Sequence, residues 1–218
     1  MLSRAIRTGW LLARFLAPLE VVAVSSDTSA PLVACALGIE ALALREARPV
    51  RTGMGPARAE RAMRETLRAR AHAPSALVFA GLGASVVTGI RPGDVVIATE
   101  VRDDRGVVEA VTSTSIQAAL KETGLTVHHG VLHSSDHVVR GPERVRLAES
   151  GVTCVDMETA AVCRAAPGVP VLSVRVVVDT PEYELVRPAT LVHGVRALRA
   201  LKQVGTVLAT WHPNVSVD

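Results

Sequence analysis

Ala76-Leu77-Val78-Phe79-Ala80-Gly81-Leu82-Gly83-Ala84-Ser85 is the stretch that decides the fold. Its first five residues are apolar without alternation, which describes a strand covered on both faces. The small residues that follow predict a loop where a ligand can approach the backbone closely. The same pattern recurs on either side. Leu32–Leu37 is an apolar run followed by a short helix over Ile39–Arg45, and Val50–Thr52 is a brief strand running into Gly53-Met54-Gly55-Pro56. Ala57–Arg70 then has the Ala, Arg and Glu composition of a helix with proline at its first turn. Arg91-Pro92-Gly93-Asp94 makes a turn before the strand Val95–Thr99. Further on, Val127–Leu132, Thr153–Val155 and Val171–Val178 read as strands. Ser115–Glu122, Glu143–Glu149, Met157–Ala166 and Leu191–Leu208 read as helices. Such alternation predicts one α/β domain over residues 31–218, a three-layer α/β/α arrangement around a largely parallel or mixed central sheet.

Composition agrees with a single core. The chain has 218 residues, 49% apolar and 21% charged, which excludes disorder. Lys and Arg number 24 against 21 Asp and Glu, a surplus of +3 with no dense basic tract, and aromatics are only 2%. A nucleic-acid partner is therefore not expected. No run approaches the roughly 18 apolar residues of a membrane span. Cys35, Cys154 and Cys163 each sit in an apolar run, an odd count that gives neither a disulfide framework nor a zinc pattern, and a reducing cytoplasm is expected. Residues 1–30 stand apart as an N-terminal extension. Leu2, Ile6 and Trp10 recur at helical spacing beside Arg4, Arg7 and Arg14, and Arg14 splits what would be the apolar centre of a signal peptide.

In open α/β sheets, ligands bind at the carboxyl ends of strands. The places to inspect are Glu40, the Gly81–Ser85 segment, Asp156-Met157-Glu158 and Asp179-Thr180. Three of them supply carboxylates, and converging carboxylates need cationic partners, hydroxyl ligands or shifted protonation. Each also has a plainer reading: Asp179 before Thr180-Pro181 starts a turn, and Glu158 steadies a helix N-terminus. Dinucleotide fingerprints are broken, because Val86 and Arg58 stand where third glycines belong, and the only lysines, Lys121 and Lys202, lie in no phosphate loop. No cofactor is expected. His128, His129, His133 and His137 do not share a strand face, so no metal site is expected either. Arg58, Arg61, Arg64 and Arg68 share a helix face that reads as solvated.

Val155-Asp156-Met157-Glu158-Thr159-Ala160-Ala161-Val162 resembles the ribose-binding signature of the purine and uridine nucleoside phosphorylase family, which includes the methylthioadenosine/S-adenosylhomocysteine nucleosidases. Gly53-Met54-Gly55-Pro56, Gly81–Ser85 with Arg91-Pro92-Gly93-Asp94-Val95-Val96, and Ser173–Asp179 resemble family segments in the family's order. Gly-Met-Gly-Pro-Ala-Arg and Arg-Pro-Gly-Asp are especially similar to the hopanoid-associated phosphorylase branch. The resemblance implies cleavage of the N-glycosidic bond of a purine nucleoside or nucleoside-like metabolite, with adenine the expected base. It implies that Asp179 protonates the departing base, that Glu158 grips the ribose hydroxyls, and that Glu40 activates water. Met157, Asp156, Gly81, Leu82 and Gly83 are implied substrate contacts, and His137-Val138 stands where many relatives stack an aromatic on the base. The chemistry suits these residue types, since bond cleavage builds positive charge on the sugar and negative charge on the base. Phe79 and Leu82 occupy positions where phosphorylases carry an Arg and a Ser for phosphate, so the acceptor is either water or phosphate. A homo-oligomer is implied. A non-catalytic, nucleoside-binding family member is the alternative function.

Overall fold

The structure, a computed structural model, describes residues 30–108, 110–182 and 190–213. The expected N-terminal extension lies outside the described residues except for Ala30, as does 183–188 of the loop after Asp179. Among the described residues there are eight strands: β1 (Leu32–Cys35), β2 (Val50–Arg51), β3 (Leu77–Ser85), β4 (Val95–Asp103), β5 (Gly106–Val108), β6 (Val127–Ser134), β7 (Val152–Asp156) and β8 (Val171–Asp179). Between them run the helices α1 (Gly38–Ala43), α2 (Pro56–Arg68), α3 (Thr114–Glu122), α4 (Pro142–Glu149), α5 (Thr159–Ala165) and α6 (Thr190–Thr210).

The sheet is mixed, in the order β2-β1-β3-β7-β6-β4-β5, with β8 pairing both β3 and β4. That double pairing curls the sheet into a ring of β3, β8, β4, β6 and β7, a closure that strand and helix order alone does not announce. Alternate residues of β3 feed opposite faces. Leu77 and Phe79 join Ala59 and Met63 of α2 and Val162 of α5. Val78 and Ala80 join Ile116 and Leu120 of α3 and Leu201 and Val204 of α6. Both faces are thus covered by helices, which explains why the strand is apolar at every position.

One expectation is corrected. Gly81–Ser85 is not a loop but the second half of β3, paired with β8 from Gly81↔Arg175 to Ala84↔Asp179. Its small residues answer to crowding between strands. A Cβ on Gly83 would meet the Cys154 sulfur at 2.9 Å, and one on Gly81 would meet the Arg175 guanidinium at 2.7 Å.

Helix α6 buries Ala197, Ala200, Leu201, Val204 and Leu208, a stripe at helical spacing. Gly205 beside that stripe lets α6 press on the end of α1: an added Cβ would lie 2.9 Å from the Leu44 Cα. In an open helix, Gly→Ala stabilises by about 1 kcal/mol. Here the neighbour is backbone and cannot swing away, so Gly205→Ala is expected to lower stability by about 1–3 kcal/mol. Thermal melting checks the sign; a higher midpoint for the variant contradicts the close packing.

Candidate active site

The end of β3 organises the site. Ala84 is in register with Val155 of β7 on one flank and with Asp179 of β8 on the other. Two strand spacings, roughly 10 Å, therefore separate the Asp179 backbone from the start of the Asp156-Met157-Glu158 turn. Glu40 reaches the same strand from the third position of α1. Its Oε1 accepts the Leu82 N–H at 2.7 Å, while Oε2 accepts the N–H groups of Ala36 at 3.0 Å and Leu37 at 2.8 Å. The side chain both caps its own helix and ties it to β3. A carboxylate offers about four acceptor positions, so one is left for a further donor.

Arg175 is the cation at the centre. It is 1% exposed, its guanidinium lies 4.4 Å from the Phe79 ring centroid, and Nη2 contacts Asp156 and the Thr159 hydroxyl, each at 2.6 Å. Burial of a guanidinium is tolerated because of this pairing and the aromatic face beneath it. Asp156 is saturated in turn: Ser134 donates to Oδ1 at 2.5 Å, and the Thr159 N–H and hydroxyl donate to Oδ2. A point where Gly81 would carry a Cβ lies 2.7 Å from both Arg175 Nη1 and Glu40 Oε1. Glycine at that position lets the cation and the Glu40 carboxylate close over the strand.

Glu158, 6% exposed, stands just before α5, where its Oε1 accepts the Gly55 N–H at 2.8 Å. Burial, and next the Asp156 carboxylate, push the Glu158 carboxyl above its ordinary value; the Gly55 hydrogen bond and Arg175 oppose this. Next to Met157 opens a hollow of about 340 Å³, bordered by Pro56, Glu60, Asp103, Arg105, Ser135 and Met157, and Glu40, Glu158 and Asp179 are not among its lining residues. That volume falls within the range of small-molecule sites. At the other flank, Asp179 is buried and its Oδ2 accepts Arg144 Nη2 at 2.7 Å.

A sequence model of the phosphorylase superfamily matches residues 43–203. The chain belongs to the phosphorylase superfamily. Membership sets the reaction class, cleavage of an N-glycosyl bond in a nucleoside-like substrate. Among solved structures, a nucleosidase for 5′-methylthioadenosine and S-adenosylhomocysteine from Neisseria meningitidis, in complex with methylthio-immucillin-A, is similar with a TM-score of 0.66 and 18% identity, covering 83% of this chain and 98% of that one. The Campylobacter jejuni nucleosidase superposes with a TM-score of 0.69 at 12% identity, covering 83% and 97%. Futalosine hydrolase of Helicobacter pylori gives 0.68 at 15%, also covering 83% and 97%. At these identities the likeness establishes the fold. No curated protein matches the sequence.

Within this phosphorylase superfamily chain, Glu40, Gly81, Leu82, Gly83, Asp156, Met157, Glu158 and Asp179 all fall around the second half of β3 and its flanks. His137 and Val138 lie further out, on the exposed loop between β6 and α4. His137 contacts Asp136 at 2.7 Å and Glu143 at 2.9 Å, and these carboxylates raise its pKa to about 9, so the ring is cationic at neutral pH. Two residues acquire parts that no expectation gave them. Arg175 interrupts the mostly aliphatic interior of β8, and that cation was a readable signal; Arg144 offered none. Among the described residues no group of three or more His, Cys, Asp or Glu side chains is placed to hold a metal ion, and no helix is long and apolar enough to cross a membrane. His128 instead contacts Asp94 at 3.0 Å. Cys35, Cys154 and Cys163 are buried free thiols, each pushed up to about 12 chiefly by burial, which leaves them protonated and poor nucleophiles.

Proposed function

We propose that the protein hydrolyses the N-glycosidic bond of a purine nucleoside, with an adenine-bearing metabolite as substrate. The observation that carries this reading is the charge balance beneath β3. Glu40, Asp156 and Glu158, all buried carboxylates, lie around the guanidinium of Arg175, which is already paired with Asp156. A phosphate dianion entering there meets more negative than positive charge, whereas water meets a carboxylate with an open acceptor position. Phe79, at the position of the phosphate-binding arginine in phosphorylases, supports the same choice. So do the hydrolytic activities named for the nucleosidases and the futalosine hydrolase of similar fold.

The step is balanced as follows. The bond from C1′ to N9 breaks, and its electron pair stays with the base. Asp179 delivers a proton to N7 of the base, and Glu158 holds the ribose hydroxyls with its charge near the sugar cation. Water adds to C1′ and gives its proton to Glu40. Solvent then restores the proton on Asp179 and removes the one on Glu40. We propose further that the enzyme works in the cytoplasm, where its three buried thiols stay reduced, and as a homo-oligomer.

The test is incubation of the full chain with adenosine and with methylthioadenosine, with and without phosphate, followed by chromatography of base and sugar. The expected products are adenine and the free sugar at a rate indifferent to phosphate. A phosphorylated sugar that forms only with phosphate overturns hydrolysis. Nucleoside binding without release of base overturns turnover altogether and leaves a binding module.

A further inference from the structure

We propose that His137 is a positioning residue for glycosidic cleavage: its imidazolium latches the loop between β6 and α4 to the first turn of α4, and that loop in turn steadies the turn bearing Glu158. The inference rests on the reading of Glu158 as the group that grips the ribose. Both ring nitrogens of His137 face acceptors. Nδ1 lies 2.7 Å from Asp136 Oδ1, and Nε2 lies 3.0 and 2.9 Å from Oε1 and Oε2 of Glu143. Ionised carboxylates only accept. A neutral imidazole carries one N–H, so it serves one of them and turns a lone pair on the other. Only the imidazolium, with a proton on each nitrogen, bridges both. Asp136 comes from the loop itself and Glu143 from α4, and among the described residues these are the charged groups that act on the ring, keeping it protonated up to about pH 9.

The other end of the loop is sewn to the site. Ser134 donates to Asp156 Oδ1 at 2.5 Å and accepts the Ala160 N–H at 3.0 Å, and the Ser135 N–H donates to the Asp156 carbonyl at 2.8 Å. Ser135 Oγ accepts the His137 N–H at 3.2 Å, so His137 is bonded to the residue that holds the Asp156 turn, and Glu158 follows two residues after Asp156. The loop is thus a strap, fixed at Asp156 by its first residues and clasped to α4 by the His137 ring. An exposed ion pair adds little to global stability. A bridge between two segments instead selects one loop conformation from many. With the clasp open, a smaller fraction of molecules has Glu158 set to receive the ribose, and apparent affinity falls by that fraction. Bound substrate restores the set conformation, so the latch acts on KM more than on kcat.

The experiment measures KM and kcat for release of adenine from methylthioadenosine between pH 7 and pH 10, with the unmodified chain, His137→Gln and His137→Arg. At pH 7, His137→Gln is expected to raise KM about three- to tenfold, the scale of two exposed ion pairs, with kcat within about twofold. The unmodified chain should climb toward the same KM as pH passes about 9. His137→Gln should show no such climb, and His137→Arg, which stays cationic, should hold KM within about threefold of the unmodified chain's neutral value throughout. An unchanged KM in His137→Gln, a climb near pH 9 that survives in it, or a His137→Arg chain no better than His137→Gln overturns the proposal. Amide hydrogen exchange at pH 7 reads the latch without turnover. Protection over 135–142 and at Thr159 and Ala160 should fall in His137→Gln and return in His137→Arg; equal protection in all three chains overturns the latch. Absence of base release by the unmodified chain defeats the parent reading, whereas an active chain indifferent to His137→Gln defeats this one alone.

Discussion

Asp179→Asn is expected to lower kcat on a purine nucleoside by about 10²–10⁴-fold, the range of general acid help, with KM nearly unchanged. The amide keeps the shape of the carboxyl. Its oxygen still accepts the Arg144 hydrogen bond seen at 2.7 Å, and its NH₂ can still donate to N7. What it cannot do is transfer a proton, so the deficit belongs to the chemical step. Steady-state kinetics on the pure variant, with the folded fraction checked by melting, gives the answer. A variant within threefold of the parent in kcat removes Asp179 from the role of acid.

Glu158→Gln should show two effects of opposite sign. Catalysis suffers, because a neutral amide leaves the sugar cation without its facing charge; the loss is on the order of 10²–10³-fold in kcat. Stability rises. Burial and Asp156 hold the Glu158 carboxyl above its ordinary value, so the folded protein binds this proton more tightly than the unfolded chain does. Stability from this group is therefore complete below the unfolded carboxylate value, about 4.3, and is lost as pH climbs through the higher folded one. Glutamine never ionises and escapes that loss, while its oxygen still accepts the Gly55 N–H. The variant should melt about 2–4 °C above the parent at neutral pH for each 1 kcal/mol relieved, and the gap should close near pH 4. A neutral-pH melting point below the parent's contradicts the electrostatic account. Such a trade of stability for activity is common where a charge is kept in an unfavourable place for chemistry.

How far the residues spoke for themselves is clearest strand by strand. Val171–Val178 and Val95–Thr99 lie inside β8 and β4, because a run covered on both faces writes its burial directly into apolar side chains. Gly81–Ser85 misled for a related reason: glycine is a poor strand former by itself, and the need for it comes from Arg175 and Cys154 on neighbouring strands. Helix α4 was legible as an element, but not in its facing. Its pattern gives no ground for sending Arg144 inward and Val145 outward, since the carboxylate that holds Arg144 is 35 residues away in sequence.

The sequence by itself determined the order of the helices and of every strand but the three-residue β5, and which carboxylates follow strands, because burial and turn chemistry act through nearest neighbours along the chain. Tertiary structure alone decided that the sheet closes through β8 and that β3 continues through its glycines. It also decided that Arg175 serves Asp156 while Arg144 serves Asp179. The physical reason is range: attraction between buried charges depends on their separation in space and on the shielding between them, and neither is set until distant segments have packed.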